Sequence, residues 1–361
     1  MLDTSAAKEV STYEPPVVEE SGAGDISLGR RLLDVKTLVS FAIAFGLLYL
    51  LFRNVQIDLA ATWQTIKRAN LFFYFIGFAL YYSGFLLRGW RWQRMLDNAH
   101  NGTDDGQRRG SAFHLGQIVY LSWFFNCLVP AKLGDVVRAY MLRRDLNVRF
   151  LKAMGTILAE RLLDLGVLLV LLSAAALVSL HQVLPDDLAR ALELGFVLVA
   201  VGVLGLLALH RLDDVVQRLL PERFRERYSR FYEGILRSFH SLPFILPLTV
   251  LIWLTEAGRL AFVTWSLGLR IDNNPVTEAL MLMFIALAAA ALTALPVTPG
   301  GLGLVEALMV KAFSWGAAAS GVAIANELAW SIAILDRSIS YGSIVIVGFI
   351  VYFLNQRRQR R

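Results

Sequence analysis

Eight apolar segments recur along the chain, over residues 35–53, 71–96, 113–128, 152–180, 192–210, 244–268, 279–295 and 318–354. Most reach the roughly 17–25 residues that a helix needs to cross a bilayer. Hydrocarbon offers no partner to a free N–H or C=O, so spans of this kind are helical. Charged residues make up 18% of the chain and its mean hydropathy is +0.55, whereas a soluble domain carries about 25% charge. The pattern predicts an all-α, polytopic integral membrane protein over residues 30–354. A polar, acid-rich tail (1–29, with Pro15-Pro16) and a basic one (355–361) flank it.

The loops divide by charge. Segment 129–153 holds Lys132, Arg138, Arg143, Arg144, Arg149 and Lys152, and segment 211–243 holds seven arginines. Loop 97–112 adds Arg108 and Arg109, and the chain ends in four arginines, whereas 181–191 and 270–278 hold one each. The positive-inside rule places the basic set and both termini in the cytoplasm, in an inner (cytoplasmic) membrane. The formal charge of +6 then sets orientation and calls for no nucleic acid. Because loops 97–112 and 129–153 are both basic, 113–128 does not cross fully. It is expected to form a re-entrant hairpin with 132–145, turning at Pro130. Segments 279–295 and 304–315 form a second, turning between Pro296 and Gly303, and the remaining six segments cross.

An internal repeat supports this layout. Arg88 and Arg91 match Glu256 and Arg259 at an offset of 168; Pro130, Gly134 and Arg138 resemble Pro296, Gly303 and Glu306; Glu160-Arg161 resembles Asp336-Arg337. The single helix 192–210 between the halves inverts the second. Inverted repeats of this design carry their site at the repeat interface.

Polar chemistry concentrates in a few places. Pro296 to Glu306 breaks an apolar stretch with two prolines and three glycines, Gly300, Gly301 and Gly303. Irregular backbone at membrane depth must be buried in protein or line a wet cavity. A helix starting near Leu302 would offer free N–H groups and a positive dipole end to a phosphate, with Thr298 as a hydroxyl donor. The competing reading is a loop at the membrane surface. In the first half, Lys132 and Arg138 are placed to meet a headgroup around Gly134, and Asp135 to cap the following helix. Glu160, Arg161 and Asp164 lie roughly 12–18 Å past Lys152 along one helix, where ionisable groups are costly and functional by default. Glu160 and Asp164 share a face, and Arg161 reaches Asp164 at i, i+3. Glu256, Arg259, Asp336 and Arg337 are similarly deep. Arg88 and Arg91, beside Trp90 and Trp92, read as a snorkelling aromatic belt. Segment 211–240 reads as an amphipathic helix lying on anionic lipid.

Five histidines show no metal-ligand spacing, the single Cys127 excludes an intrachain disulfide, and no phosphate loop of the Gly-x-x-x-x-Gly-Lys type is present. Neither metal nor cofactor is expected.

The stretches Phe125–Arg138, Glu160–Asp164 and Leu295–Glu306, together with Asp336-Arg337, resemble the lysylphosphatidylglycerol synthetase transmembrane region, a flippase-like domain, across about residues 30–354. The Pro-Gly-Gly-Leu-Gly-x-x-Glu run is the most specific part. In two-domain members, the resemblance implies, the membrane part flips aminoacylated phosphatidylglycerol made by a soluble C-terminal synthetase domain. This chain stops at Arg361, so transport without aminoacyl transfer is the expectation. Its partners would be a membrane phospholipid or a polyprenyl-linked lipid, and an envelope-lipid synthesis enzyme. Two rivals stay open. One is an intramembrane transferase using Glu160, Asp164 and Glu306 on a lipid phosphate. The other is an accessory subunit that relies on 211–240.

Overall fold

The computed structural model describes residues 58–100, 110–128, 133–180, 186–294 and 298–359. The acidic tail, the first apolar segment, Pro130, Lys132 and Pro296 lie outside these residues. Among the described residues all regular structure is helical. Seven stretches are long and apolar enough to cross a membrane: Leu71–Ala99, Phe150–Ser179, Asp186–Arg211, Phe224–Ser266, Pro275–Thr293, Pro299–Ser320 and Asn326–Tyr352. The chain is an all-α, polytopic membrane protein.

The helices are α1 (Leu59–Lys67), α2 (Leu71–His100), α3 (Ala112–Leu128), α4 (Gly134–Leu146), α5 (Phe150–Ser179), α6 (Asp186–Arg211) and α7 (Asp213–Leu219). They continue as α8 (Glu222–Ser238), α9 (Leu242–Ser266), α10 (Pro275–Thr293), α11 (Leu304–Ser320), α12 (Asn326–Arg337) and α13 (Ile344–Gln359). A six-residue π turn, Ser338–Ser343, joins α12 to α13.

The centre of the molecule is the α2–α9 pair. A Cβ on Gly77 would sit 3.1 Å from the Arg259 carbonyl, and one on Gly84 would sit 3.0 Å from Thr255 Oγ1. Further on, the Trp90 and Phe244 rings are 5.3 Å apart. Residue numbers rise on α2 as they fall on α9, so the helices are antiparallel, and glycines let their backbones approach as they do in membrane helix pairs. The other contacts come in matched sets. Helix α3 packs on α2 as α10 packs on α9. Helix α4 closes against α3 and α5, and α11 against α10 and α12. Helix α5 lies on α10 as α13 lies on α3, and α8 rests on α5 as α1 rests on α12. This is a pseudo-two-fold relation between α1–α5 and α8–α13. Because the counterparts α2 and α9 are antiparallel, its axis runs perpendicular to the helices, which makes the repeat an inverted one.

The hairpins α3–α4 and α10–α11 meet at their tips. Tyr341 donates to the Cys127 carbonyl at 3.3 Å, and a Cβ on Gly300 would lie 3.5 Å from Cys127 Sγ. By length α10 and α11 are each able to cross, whereas α4, at 13 residues, is about 20 Å long and too short.

Several elements differ from the sequence expectations. The last apolar segment, read as 318–354, is interrupted: Gly321 at φ +68° ends α11 and a new helix starts at Asn326. Segment 211–243 is not a helix resting on lipid alone. One face of α8 docks on α5, where a Cβ on Gly234 would lie 2.4 Å from the Lys152 carbonyl and Ile235 is buried. Helix α6 has no buried residue and turns Leu194, Val197, Val201 and Leu204 outward, a surface suited to lipid.

Candidate functional site

A cavity of about 240 Å³ opens where the halves meet. Residues midway along α2, α5 and α9 line it, together with both hairpin tips, Asn126 and Cys127 from one and Thr298 and Gly300 from the other. The Thr298–Gly301 turn is therefore level with the middles of these long helices. Four arginines face the cavity: Arg88, Arg161, Arg259 and Arg337. So do four carboxylates: Glu160, Asp164, Glu256 and Asp336. Leu165, Leu168, Ile252 and Ala289 make an apolar wall.

The charges are paired mostly across helices, with Glu256 and Arg259 the one pair of the network along a helix. Arg88 donates to Glu256 at 2.8 Å, joining α2 to α9. Arg91 forks between Asp164 and Glu160 and also reaches Thr249 Oγ1 at 2.9 Å. Its counterpart Arg259 binds Asp336 and lies 3.4 Å from Glu256. Arg161 takes Asp135 through two nitrogens, at 2.6 and 3.2 Å, just as Arg337 takes Glu306 at 2.7 Å. Each hairpin's second helix thus supplies the acid that holds its own half's arginine. Arg138 donates to Glu160 and lies 3.6 Å above the Trp92 ring.

These pairs contain six guanidiniums (88, 91, 138, 161, 259, 337) and six carboxylates (135, 160, 164, 256, 306, 336), so the formal charge of the network is zero. Of the eight that line the cavity, Arg161 and Asp164 are the most open, with side chains 38% and 15% exposed; the other six stay at 10% or below.

Among the expected site residues, Glu160, Arg161, Asp164, Glu256, Arg259, Thr298, Gly300, Asp336 and Arg337 share this cavity. Gly134, Arg138, Gly301, Gly303 and Glu306 stand behind its wall, and Lys132 is outside the described residues. Gly134 is there for closeness: its N–H binds Asn126 Oδ1 at 2.9 Å, and a Cβ would lie 2.1 Å from the Ser122 carbonyl.

The pairings correct several expectations. Arg161 does not reach Asp164, because Asp135 on α4 claims it. Asp135 in turn caps nothing, the N-cap of α4 being Leu133 without a side-chain bond. Arg88 and Arg91 do not snorkel; both are buried, at 4% and 0% exposed. Arg138 is turned away from the cavity. The start of α11 is not left open for a phosphate either: the Glu306 carboxylate accepts the Gly303 N–H at 2.7 Å, and Thr298 gives its proton to the Leu302 carbonyl. An anion there would meet a carboxylate already seated on the helix dipole. Gly300 turns its carbonyl, not its N–H, to Arg337, at 2.7 Å. Arg88 and Asn126 are cavity residues that the sequence did not nominate; the match of Arg88 to Glu256 was the available signal.

A family model described as the lysylphosphatidylglycerol synthase TM region matches residues 37–348. A UPF0104 membrane protein of Methanocaldococcus jannaschii is 30% identical over 235 residues, covering 65% of this chain and 95% of the relative. One from Methanothermobacter thermautotrophicus is 27% identical over 269 residues, 66% and 75% of the two chains. One from Pyrococcus horikoshii is 23% identical over 328 residues, 81% and 91%. No solved structure matches.

Proposed function

The chain belongs to the lysylphosphatidylglycerol synthase TM region family, and on that premise we propose that it moves a phospholipid or another lipid-linked anion across the cell membrane. The observation that carries this reading is the cavity, where ionic side chains from both inverted halves converge at mid-depth beside an apolar wall. A phosphate headgroup crossing hydrocarbon needs a polar path, while its acyl chains are best left in lipid. Arg161 is the most open cation and makes the first contact; Arg88, Arg259 and Arg337 continue the path, each steadied by its own acid. Ionic groups at this depth mark substrate routes in membrane proteins. In this reading the protein is a transporter and not an enzyme, with both termini in the cytoplasm and its lipid supplied by an envelope-lipid synthesis enzyme.

Reconstitution into liposomes with a fluorescent phospholipid tests it. Wild-type vesicles should expose inner-leaflet probe to an impermeant quencher well above the rate of empty vesicles. Arg161→Ala should fall back toward the empty-vesicle rate while unfolding at a similar temperature. Equal rates in all three would end the proposal.

A further inference from the structure

We propose that Asn126, near the tip of the first hairpin, contacts the headgroup directly, its side-chain N–H groups donating to a headgroup oxygen. This rests on the transport reading above and adds a specificity-determining residue to it.

A carboxamide has one oxygen that accepts and one nitrogen that donates, and its neighbours decide which way each points. The Gly134 N–H can only donate, so the Asn126 atom 2.9 Å from it is the carbonyl oxygen. A Cβ on Gly134 would lie 2.6 Å from that oxygen, so the glycine is what admits the amide. Nδ2 then points the other way. It has no partner among the described residues and is not sealed in. In the run Leu121–Leu128 only Trp123 and Asn126 escape burial, and both line the cavity. The hydroxyls that line it are already committed. Tyr81 donates to the Ser340 carbonyl, Thr293 to Ala290, Thr298 to Leu302 and Tyr341 to Cys127, while Ser340 turns toward Asp336. Among the described hydroxyl and amide groups of the lining, Asn126 alone keeps its donors free.

Arg161 gives those donors a use. Helix α4 starts at Gly134, and Asp135 follows. Asn126 is tied to the first of these residues from α3, and Arg161 to the second from α5, at 2.6 Å. A neutral donor and the most open cation are thus fixed to consecutive residues of one helix start, both in the cavity lining. A headgroup whose phosphate rests on Arg161 has further oxygens to place, and an amide meets one of them without adding a charge. Capping α4 does not by itself call for an amide. A carboxylate at 126 would accept the Gly134 N–H and suit the positive end of the helix at least as well; what it lacks is the donor. A site that hydrogen-bonds a ligand oxygen selects for it, because a ligand without that oxygen leaves the donor unpaired.

Asn126→Asp separates the two roles, because it keeps the acceptor for Gly134 and removes the donor. Two readouts are taken: the rise in unfolding temperature on titrating dihexanoyl phosphatidylglycerol in detergent, and flipping of a fluorescent phosphatidylglycerol in proteoliposomes. Without ligand we expect the variant to unfold at the wild-type temperature. It should need about ten-fold more of the short-chain lipid for half of the thermal shift, and flip the probe about ten-fold more slowly. Asn126→Ala brings no charge and should show the same loss, which excludes repulsion by the new carboxylate as the cause. It also decides the matter if the aspartate variant does not fold. Wild-type affinity and rate in either folded variant would overturn the inference and leave lipid transport standing. Wild-type vesicles no faster than empty ones would remove transport itself, and this inference with it.

Discussion

Arg88 and Glu256 occupy matching positions in the two halves and close an ion pair of 2.8 Å on each other, so the repeat binds to itself across its own axis. Both side chains are only 5% exposed. Removing Glu256 strands the Arg88 charge, whereas removing Arg88 leaves Glu256 with Arg259 at 3.4 Å. Glu256→Gln should cost about 3–5 kcal/mol, read as a lower unfolding temperature in detergent, and Arg88→Gln should cost less. The double substitution should cost less than the sum, with Arg259 still beside position 256.

Arg138 tests a different contact. Its guanidinium lies 3.6 Å over Trp92 and donates to Glu160. Arg138→Lys keeps the charge but loses the flat stacking surface. We expect a loss of about 1–2 kcal/mol, with a similar coupling between Arg138→Lys and Trp92→Leu in a double-mutant cycle.

The hairpin tip gives a prediction about glycine. Gly300 sits at φ +57°, and a Cβ there would come within 2.6 Å of the Tyr341 ring. Gly300→Ala meets both obstacles and should lower stability by about 1–3 kcal/mol. Gly166→Ala, in a regular turn of α5 with nothing within 4 Å of the new methyl, should be neutral or stabilise by up to about 1 kcal/mol. Thermal unfolding of the two variants side by side checks the contrast.

Glu306 and Asp135 are matched holders of Arg337 and Arg161. If positioning these arginines matters to transport, Glu306→Ala and Asp135→Ala should both slow lipid movement by about ten-fold or more. Glu306→Ala should also lose stability, because the Gly303 N–H loses its acceptor. A liposome flipping assay run with an unfolding curve separates the two effects.

The sequence carried the spans, the broken backbone near Gly300 and most of the deep charges, because these follow from local hydropathy and from the cost of ions in hydrocarbon. It did not carry their partners. Spacing along one helix favoured Arg161 with Asp164, but a guanidinium is long enough to choose an acid on a neighbouring helix, and Asp135 was the one in reach. Tryptophans beside Arg88 and Arg91 looked like a membrane interface, and hydropathy does not separate a face against lipid from a face against another helix. The clue was steric: Gly77, Gly84 and Gly89 make close contacts with α9 and α3, and a Cβ on Gly89 would lie 2.1 Å from the Ala112 carbonyl. Glu306 looked available for ligand because nothing in the run Pro299–Glu306 says that its carboxylate folds back on Gly303.

Helix α5 passes Leu162–Val167 without interruption, while the matching stretch of the second half widens into the turn Ser338–Ser343. Hydroxyls of Tyr81 and Tyr120 cross from the first half to take carbonyls of Ser340 and Ile344, both at 3.1 Å. Such a turn carries a residue more than the helix around it, so the side chains of α13 leave it rotated by about 100° around the axis from the places a continuous helix would give them. Two otherwise matching halves are thus unlike at one joint, immediately beyond Arg337. Any motion in which the halves traded shapes would have to iron out this joint, let go of those two tyrosines, and raise its equal beside Asp164.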